Sequence, residues 1–171
     1  HRDLHSFPTR RSSDLMDLMQ AQLQVRGCTL EADLRAGVVH IRANPFSLEE
    51  VLLNLLTNAR DAIEEKKAVQ NELAKAGIRV TTQRDQCNGR PCVSIKSSDS
   101  GIGIPPKILA KVFDPFYTTK RNDRATGLGL AICKSLVEQF HGTIEIVSTW
   151  MSGTTVTLMF PQSMSEEAHE T

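Results

Sequence analysis

The sequence carries no surplus of charge of either sign. It contains 20 Lys and Arg residues and 20 Asp and Glu residues, which leaves a formal net charge of +0 at pH 7. A chain that holds nucleic acid or an anionic membrane surface mainly through charge needs a large basic excess. The balance therefore excludes such a global attraction, and we expect neither nucleic-acid binding nor membrane contact.

Long hydrophobic runs are also absent from the chain. No apolar run approaches the roughly 20 residues that a membrane-spanning helix needs. The phosphate loop GxxxxGKS or GxxxxGKT of many nucleotide-binding proteins does not occur either. A length of 171 residues suits one α/β domain, which we expect to be soluble and cytoplasmic.

Cysteine is scarce, with four residues in the chain: Cys28, Cys87, Cys92 and Cys133. None of them forms a paired CxxC motif, which argues against the zinc and thioredoxin-like sites that such pairs build. Cys87 and Cys92 flank an Asn-Gly pair, a strong signal for a hairpin turn, so they can face each other across two strands. With so few cysteines, we expect free thiols in a reducing compartment.

Periodicity and turn residues predict helices and strands without internal repeats. Helices are predicted at residues 16–27, 45–67, 105–113 and 127–142. Strands are predicted at residues 28–37, 38–44, 78–86, 91–99, 143–150 and 154–161. Residues 162–171 have the composition of a solvated tail.

The helix predicted at residues 45–67 has the strongest signal in the sequence. Pro45 suits its first turn, and Ser47 and Glu50 have the spacing of a capping box. At about 100° per residue, one broad arc of this helix is apolar. The arc contains Leu48, Val51, Leu52, Leu55, Leu56, Ala59, Ala62 and Ile63.

The opposite arc of this helix carries Glu50, Asn54, Asn58 and Asp61, at spacings of four, four and three. Asparagine is a mediocre helix former, and a face that only meets solvent favours Glu, Lys or Gln. One interpretation is a solvated face that happens to contain asparagine. The other is a row of polar ligands facing a cleft, where an asparagine oxygen suits Mg²⁺ completed by phosphates and water.

Two glycine motifs lie downstream of this helix. A strand ends at Asp99, and Gly101 and Gly103 then allow the backbone to approach a ligand closely. The segment TGLGLA places Gly127 and Gly129 before a helix, whose first N–H groups can hold phosphate oxygens. Each motif alone is weak. The ordered set of an asparagine helix, DxGxG, FDPFYTTK, GLGL and a final GTT is far more specific.

From about Cys28 to Pro161, the chain resembles the catalytic, ATP-binding domain of two-component sensor histidine kinases, within the GHKL ATPase superfamily. The resemblance rests on LLNLLTNARDAI, DSGIGIP, VFDPFYTTK, TGLGLA and GTT. It implies a two-layer α/β sandwich, the Bergerat fold, with a mixed sheet covered by three helices on one face. It also implies ATP and Mg²⁺ as ligands, bound between the helices and a lid.

The same resemblance implies roles for individual residues. Asn58 would bind Mg²⁺, Asn54 would act at the phosphate end of the pocket, and Asp99 would bond to the adenine amino group. Phe113 and Phe116 would be hydrophobic anchors. The other nucleotide-binding residues that it implies are Asp61, Gly101, Gly103, Lys120, Thr126, Gly127, Leu128, Gly129 and Thr155.

Some positions depart from the pattern of that family. Ser100 stands where Asn is usual, and Ala125 stands where many relatives have a lid glycine. The lid segment 121–126 is short, with six residues. Asp61 has the wrong sign for direct contact with phosphate at a position where some members carry lysine. Glu50 occupies the position of a general base in hydrolytic relatives, although its capping-box role is favoured.

The implied reaction is transfer of the γ-phosphoryl group of ATP to a histidine on a dimerisation and phosphoacceptor domain, upstream of a response regulator. The five histidines His1, His5, His40, His141 and His169 lack the helical H-E/D-x-x-x-P/N context of an acceptor. We therefore expect the acceptor domain to be missing and the chain not to phosphorylate itself. A nucleotide-gated binding module and a serine kinase acting on an anti-anti-sigma protein are the alternatives.

The opening stretch, HRDLHSFPTRRSSDL, does not resemble the rest of the chain. It lacks the apolar core of about 7–15 residues of a secretion signal, and its few arginines are too weak a basic arm for nucleic acid. It does resemble the in-frame translation of a common sequencing adapter. We expect residues 1–15 to be an artefact outside the fold, residues 16–27 a linker stub, residues 28–161 the catalytic domain and residues 162–171 a flexible tail.

Overall fold

The computed structural model describes residues 4–7, 10–34, 39–70, 76–119 and 126–163, which form a layer of helices on a five-stranded sheet. The helices are α1 (Arg10–Gln24), α2 (Pro45–Gln70), α3 (Pro106–Leu109) and α4 (Gly129–Gln139). The strands are β1 (Leu4–Phe7), β2 (Cys28–Asp33), β3 (Val39–Arg42), β4 (Ala76–Cys87), β5 (Arg90–Asp99), β6 (Thr143–Thr149) and β7 (Gly153–Pro161).

The main sheet is mixed, with the strand order β2-β4-β5-β7-β6. β2 and β4 run parallel, and each of the other neighbouring pairs is antiparallel. β1 and β3 form a separate antiparallel ribbon. Because β5 and β7 are antiparallel, the end of β5 at Asp99 lies directly opposite Thr154, near the start of β7. This pairing brings two distant segments to one edge of the sheet.

The core lies between one face of the sheet and the helices. Alternate strand residues, such as Val80, Ile95 and Leu158, are buried against α1, α2 and α4 in one hydrophobic cluster. The apolar arc of α2 is buried as predicted at Leu48, Val51, Leu52, Leu55, Leu56, Ala59 and Ile63. Ala62, also assigned to this arc, is only half-buried and lines a cleft instead. The α/β sandwich predicted from the sequence is therefore confirmed.

The start of α2 differs from the prediction in its capping residue. The side-chain oxygen of Asn44 accepts hydrogen bonds from the backbone N–H groups of Phe46, at 2.9 Å, and Ser47, at 3.4 Å. The predicted capping box at Ser47 and Glu50 is wrong, because Ser47 already lies inside the first turn of a helix that begins at Pro45. Asn44 performs the capping role from outside the helix.

The N-terminal segment contains regular structure. β1 pairs Leu4–Phe7 with Val39–Arg42, and α1 begins at Arg10, before the predicted start at residue 16. Leu15 belongs to the buried core. The boundary expected between residues 15 and 16 is therefore not visible in this fold, while the adapter origin of residues 1–15 stays a prediction.

The cysteines are not all free thiols, which corrects the expectation from their scarcity. Cys87 and Cys92 form a disulfide across the hairpin of β4 and β5, with their Cα atoms 5.9 Å apart. The turn between them brings the two strands together at this point, and the close approach of the side chains follows. Cys28 and Cys133 are free thiols, as expected, and both are buried. Within the described parts of the chain, no helix combines the length and the apolarity needed to cross a membrane.

Candidate functional site

A cleft of about 380 Å³ opens between α2, the segment after β5 and the segment that leads into α4. Its lining includes Asn54, Asn58, Asp61, Asp99, Gly103, Thr126, Gly127 and Gly129 from the sequence-predicted set. The lining also includes apolar residues such as Ile102, Ile146 and Val156. An apolar pocket with a few convergent polar groups is the usual form of a small-molecule site.

The polar arc of α2 forms one wall of this cleft. Asn54, Asn58 and Asp61 are half-buried in the wall, because the opposite side of α2 is held against the core. This part of the arc therefore faces a cleft and not open solvent, while its role as a row of ligands stays a prediction. Glu50, one turn earlier, is exposed and does not line the cleft, so the geometry gives no support to a general-base role.

Asp61 is paired with its neighbour on the helix. The guanidinium of Arg60 donates to Asp61 Oδ1 from Nη2, at 2.9 Å, and from Nε, at 3.2 Å. From the sequence, the negative charge of Asp61 has the wrong sign for direct contact with phosphate at the expected phosphate end of the pocket. Arg60, which does not itself line the cleft, compensates this charge through the ion pair.

Asn54 lies where α2 meets α4. The Oδ1 atom of Asn54 would lie 3.3 Å from a Cβ atom added at Gly129, so the glycine allows the two helices to meet closely here. The Asn54 side chain also forms a hydrogen bond to the Cys133 thiol of α4. Burial, together with the nearby carboxylate of Glu50, raises the pKa of Cys133 to about 12, which keeps this thiol neutral. Asn54 thus joins the cleft wall to the N-terminal turns of α4.

Asp99 lies at the base of the cleft, at the end of β5. Its carboxylate accepts hydrogen bonds from the backbone N–H groups of Gly101, at 2.8 Å, and Thr154. Burial raises the pKa of Asp99 from 3.8 to about 6, against the lowering effect of these two hydrogen bonds and of the Lys66 charge. A fixed carboxylate acceptor in a partly dry cleft can select a ligand that offers a hydrogen-bond donor.

Lys66 supports the site from outside the cleft lining, and sequence reasoning missed it. Its Nζ atom donates to the carbonyl oxygen of Ser100, at 3.0 Å, one residue after Asp99. The backbone N–H of Ile102 donates to the carbonyl oxygen of Ala62, at 2.9 Å, so α2 holds the DSGIG segment at two points. The contact joins residues 34 positions apart, and no local pattern in the sequence identifies it.

The first glycine motif is held by close contacts with its neighbours. A Cβ atom at Gly101 would lie 2.6 Å from the Cβ atom of Ala62, so a larger residue would separate this segment from α2. Gly101 itself does not line the cleft and acts there through its N–H group on Asp99. Gly103 has a φ of +76°, and a Cβ atom there would clash with the Thr149 carbonyl oxygen.

The second glycine motif forms the opposite rim of the cleft. Gly127 has a φ of +67°, and a Cβ atom there would lie 2.5 Å from the carbonyl carbon of Phe116. Leu128 precedes the first residue of α4 and is not part of the lining, although its N–H lies 3.4 Å from the Thr126 hydroxyl oxygen. Lys120, the remaining residue of the predicted set, lies outside the described residues, as do residues 121–125 of the lid segment.

Two predicted positions differ in the structure. Thr154, not Thr155, lines the cleft, because successive strand residues point to opposite faces of the sheet. The Thr155 hydroxyl instead forms a 3.0 Å hydrogen bond with the Ser98 hydroxyl. Phe116, expected as a hydrophobic anchor, is 75% exposed. Phe113 is half-buried, with its ring centroid 5.6 Å from Lys134 Nζ.

The profile of the family described as "Histidine kinase-, DNA gyrase B-, and HSP90-like ATPase" matches residues 43–164 of this chain. Sensor histidine kinase ZraS of Salmonella typhimurium is 34% identical over 146 residues, which cover 85% of the chain. Sensor kinase CckA of Brucella abortus is 30% identical over 158 residues, or 88% of the chain. The chain spans only 28% of the length of the ZraS relative and 16% of the CckA relative.

Solved structures of similar fold are also known. The full-length structure of ShkA in complex with AMPPNP superposes with a TM-score of 0.74 and 22% identity, over 95% of this chain and 32% of that one. The catalytic domain of histidine kinase ThkA, in a nucleotide-free form, gives a TM-score of 0.71 and 24% identity, over 94% of this chain and 96% of that one. At these identities, the likeness is one of fold.

Proposed function

Because this chain belongs to the family of histidine kinase-, DNA gyrase B- and HSP90-like ATPases, we propose that it binds Mg-ATP in the cleft as the catalytic domain of a sensor histidine kinase. The observation that carries the proposal is the arrangement of Asp99 at the base of the cleft and the asparagine row of α2 along its wall. One end offers a carboxylate acceptor, and the other offers neutral oxygen ligands.

Asp99 binds the adenine base in this proposal. Its ionised carboxylate, held by the N–H groups of Gly101 and Thr154, accepts a hydrogen bond from the adenine amino group. Ile102 and Ile146 provide apolar surface for the ring in the same cleft. Lys66 supports this end by holding the DSGIG segment against α2. The predicted role of Asp99 is thus consistent with its surroundings.

The triphosphate extends along α2 toward the start of α4. The donor set fits Mg²⁺, since the half-buried amides of Asn54 and Asn58 face the cleft and offer the oxygen ligands that this ion prefers. Asn58 would hold the ion, which when bound neutralises phosphate charge. The N–H groups at the start of α4, after Gly127, are available to phosphate oxygens.

The proposed reaction is transfer of the γ-phosphoryl group to a histidine nitrogen of an acceptor domain. The residues of this chain contribute by binding and orienting ATP, since phosphoryl transfer requires positioning and charge stabilisation more than covalent catalysis. Asn54 lies beside Gly129 at the phosphate end, where it can orient the transferred group. In this proposal, a response regulator receives the phosphoryl group from the acceptor histidine. The domain works in the cytoplasm in this proposal, because it needs ATP.

The experiment that tests this proposal measures nucleotide binding and phosphoryl transfer together. We expect Asp99→Asn to weaken ATP binding by about 1–3 kcal/mol, because an amide donor would face the adenine amino group. Asp85→Asn, at an exposed position of β4, is the matched control and should bind ATP as the parent chain does. Equal affinities of the parent chain and Asp99→Asn in titration calorimetry would remove Asp99 from the site.

The same samples distinguish the class of kinase. With radiolabelled ATP and an acceptor-helix dimer from a closely matched histidine kinase, the label should appear on the acceptor and be labile in acid. Acid-stable label on an anti-anti-sigma protein would instead indicate a serine kinase. Binding of ATP without transfer to either acceptor would indicate a nucleotide-gated binding module.

A further inference from the structure

Three sulfur atoms lie together on the sheet face that points away from the helices. Cys87 of β4 and Cys92 of β5 are joined in the disulfide, and Met159 of β7 places its Sδ atom 3.6 Å from Cys87 Sγ. The three residues come from three adjacent strands. We refer to Cys87, Cys92 and Met159 as the sulfur cluster.

The strand register explains why these side chains meet. Cys92 is paired with Asp85, and Cys87 lies two residues after Asp85, so the two cysteine side chains point to the same face of the sheet. Met159 is paired with Ser94, which lies two residues after Cys92, so its side chain points to that face as well. Cys92 is 1% exposed, whereas Cys87 and Met159 are half-buried. The cluster is therefore sheltered on one side and reachable on the other.

The sulfur cluster is separate from the ATP cleft. Cys92 lies near the beginning of β5 and Asp99 lies at its end, and none of the three cluster residues lines the cleft. Cys28 and Cys133, the other two cysteines, are buried apart from it. The nucleotide-binding role proposed above accounts for none of these three side chains.

We propose that, when its disulfide is reduced, the sulfur cluster binds one Cu(I) ion. Two thiolates and a thioether form a soft ligand set, which selects Cu(I) over harder ions. The Cα separation of 5.9 Å lets both cysteine side chains reach a shared ion, and the thioether already lies beside one of them. Zn²⁺ takes four ligands from cysteine, histidine and carboxylate. The described residues contain no group of three or more such side chains able to hold a metal ion.

The redox balance of this site is simple. A dithiol reductant supplies two electrons and two protons to the Cys87–Cys92 disulfide, which becomes two thiols while the reductant becomes a disulfide. Cu(I) then replaces the thiol protons, which leave to solvent, and the copper keeps its oxidation state. Oxidation back to the disulfide requires release of the ion, because both thiolates are consumed in the new S–S bond.

Anaerobic titration of the reduced chain with Cu(I), in competition with the chromophoric chelator bicinchoninate, tests the proposal. We expect one Cu(I) per chain, with no binding before reduction. Cys87→Ser and Met159→Leu should each weaken binding by about tenfold or more, since even indirect partners of a metal site contribute that much. Cys28→Ala removes one thiol outside the cluster and should bind as the parent chain does.

Three results would overturn the assignment. The first is failure of the reduced parent chain to compete with bicinchoninate for Cu(I), and the second is unchanged Cu(I) binding in Cys87→Ser. The third is Cu(I) binding by Met159→Leu that equals that of the parent chain, which would remove the thioether from the site. Because Cys87 and Met159 are half-buried, far-UV circular dichroism of each variant is needed to check that it is folded. ATP binding by the same samples serves as an independent check, because it should not change.

Discussion

Burial and hydrogen bonding act on the Asp99 carboxylate in opposite directions, and burial is the larger effect. Its pKa is raised to about 6, although Gly101, Thr154 and Lys66 each favour the ionised form. At neutral pH the carboxylate is therefore ionised at a cost in folding free energy. A ligand that donates to this carboxylate compensates part of the cost, which couples binding to stability.

This pKa predicts a specific pH dependence of stability. Between pH 3.8 and about 6, the folded chain keeps a proton on Asp99 that the unfolded chain has lost. The contribution of Asp99 to the free energy of unfolding therefore falls as the pH rises and is lost above about pH 6. We expect Asp99→Asn to gain stability relative to the parent chain as the pH rises from 4 to 7, by at most about 3 kcal/mol. Urea unfolding at several pH values measures the difference, and a pH-independent difference would contradict it.

Asn58 gives a second prediction at the scale of one residue. We expect Asn58→Ala to weaken Mg-ATP binding by about tenfold while leaving metal-free adenosine binding nearly unchanged, because the amide oxygen would ligate the ion and not the base. Titration calorimetry with both ligands measures the two affinities. Gln83→Ala, at an exposed amide on β4, is the control. Equal losses for both ligands would indicate a folding defect.

At the scale of elements, helical periodicity predicted the buried arc of α2 and the cleft-facing row at Asn54, Asn58 and Asp61. Both depend only on the angle between successive residues of one helix. Thr155 was predicted in the cleft, but its neighbour Thr154 lies there, because periodicity within one segment does not determine which face of β7 points to the helices. That face depends on the register of β7 with β5. Lys66 was missed for a similar reason, because its partner is fixed by the packing of α2 on the loop after β5.

The start of α2 provides a test at this scale. We expect Asn44→Ala to lower the free energy of unfolding by about 1 kcal/mol, because the N–H groups of Phe46 and Ser47 lose their acceptor. Ser47→Ala should change it by less than about 0.5 kcal/mol, since Asn44 and not Ser47 caps the helix. Urea midpoints at constant slope compare the two variants. A larger effect at Ser47 would restore the capping box predicted from the sequence.

At the scale of the whole molecule, the cleft and the described histidines lie in different parts of the fold, because none of these histidines lines the cleft. The cleft and its polar groups lie within residues 54–156, inside the segment that matches the family profile. Of the described histidines, His5 lies in β1, His40 lies in β3 and His141 follows the end of α4 with a φ of 59°. None of these three lies within a helix, and His1 and His169 are outside the described residues.

We therefore expect the chain to bind ATP without phosphorylating itself, because none of the three described histidines lies in a helix that could hold an acceptor nitrogen in line with a bound γ-phosphate. Mixed with an acceptor-helix dimer from a closely matched kinase, it should transfer phosphate slowly, since the covalent tether that raises the effective concentration is lacking. Incubation with radiolabelled ATP, followed by acid treatment, separates these outcomes. Asp99→Asn should lower transfer to the dimer as it lowers ATP binding, which ties any transfer to the cleft. Acid-labile label on the chain alone would contradict the prediction, and replacing His141 by Ala would then test the histidine nearest to α4.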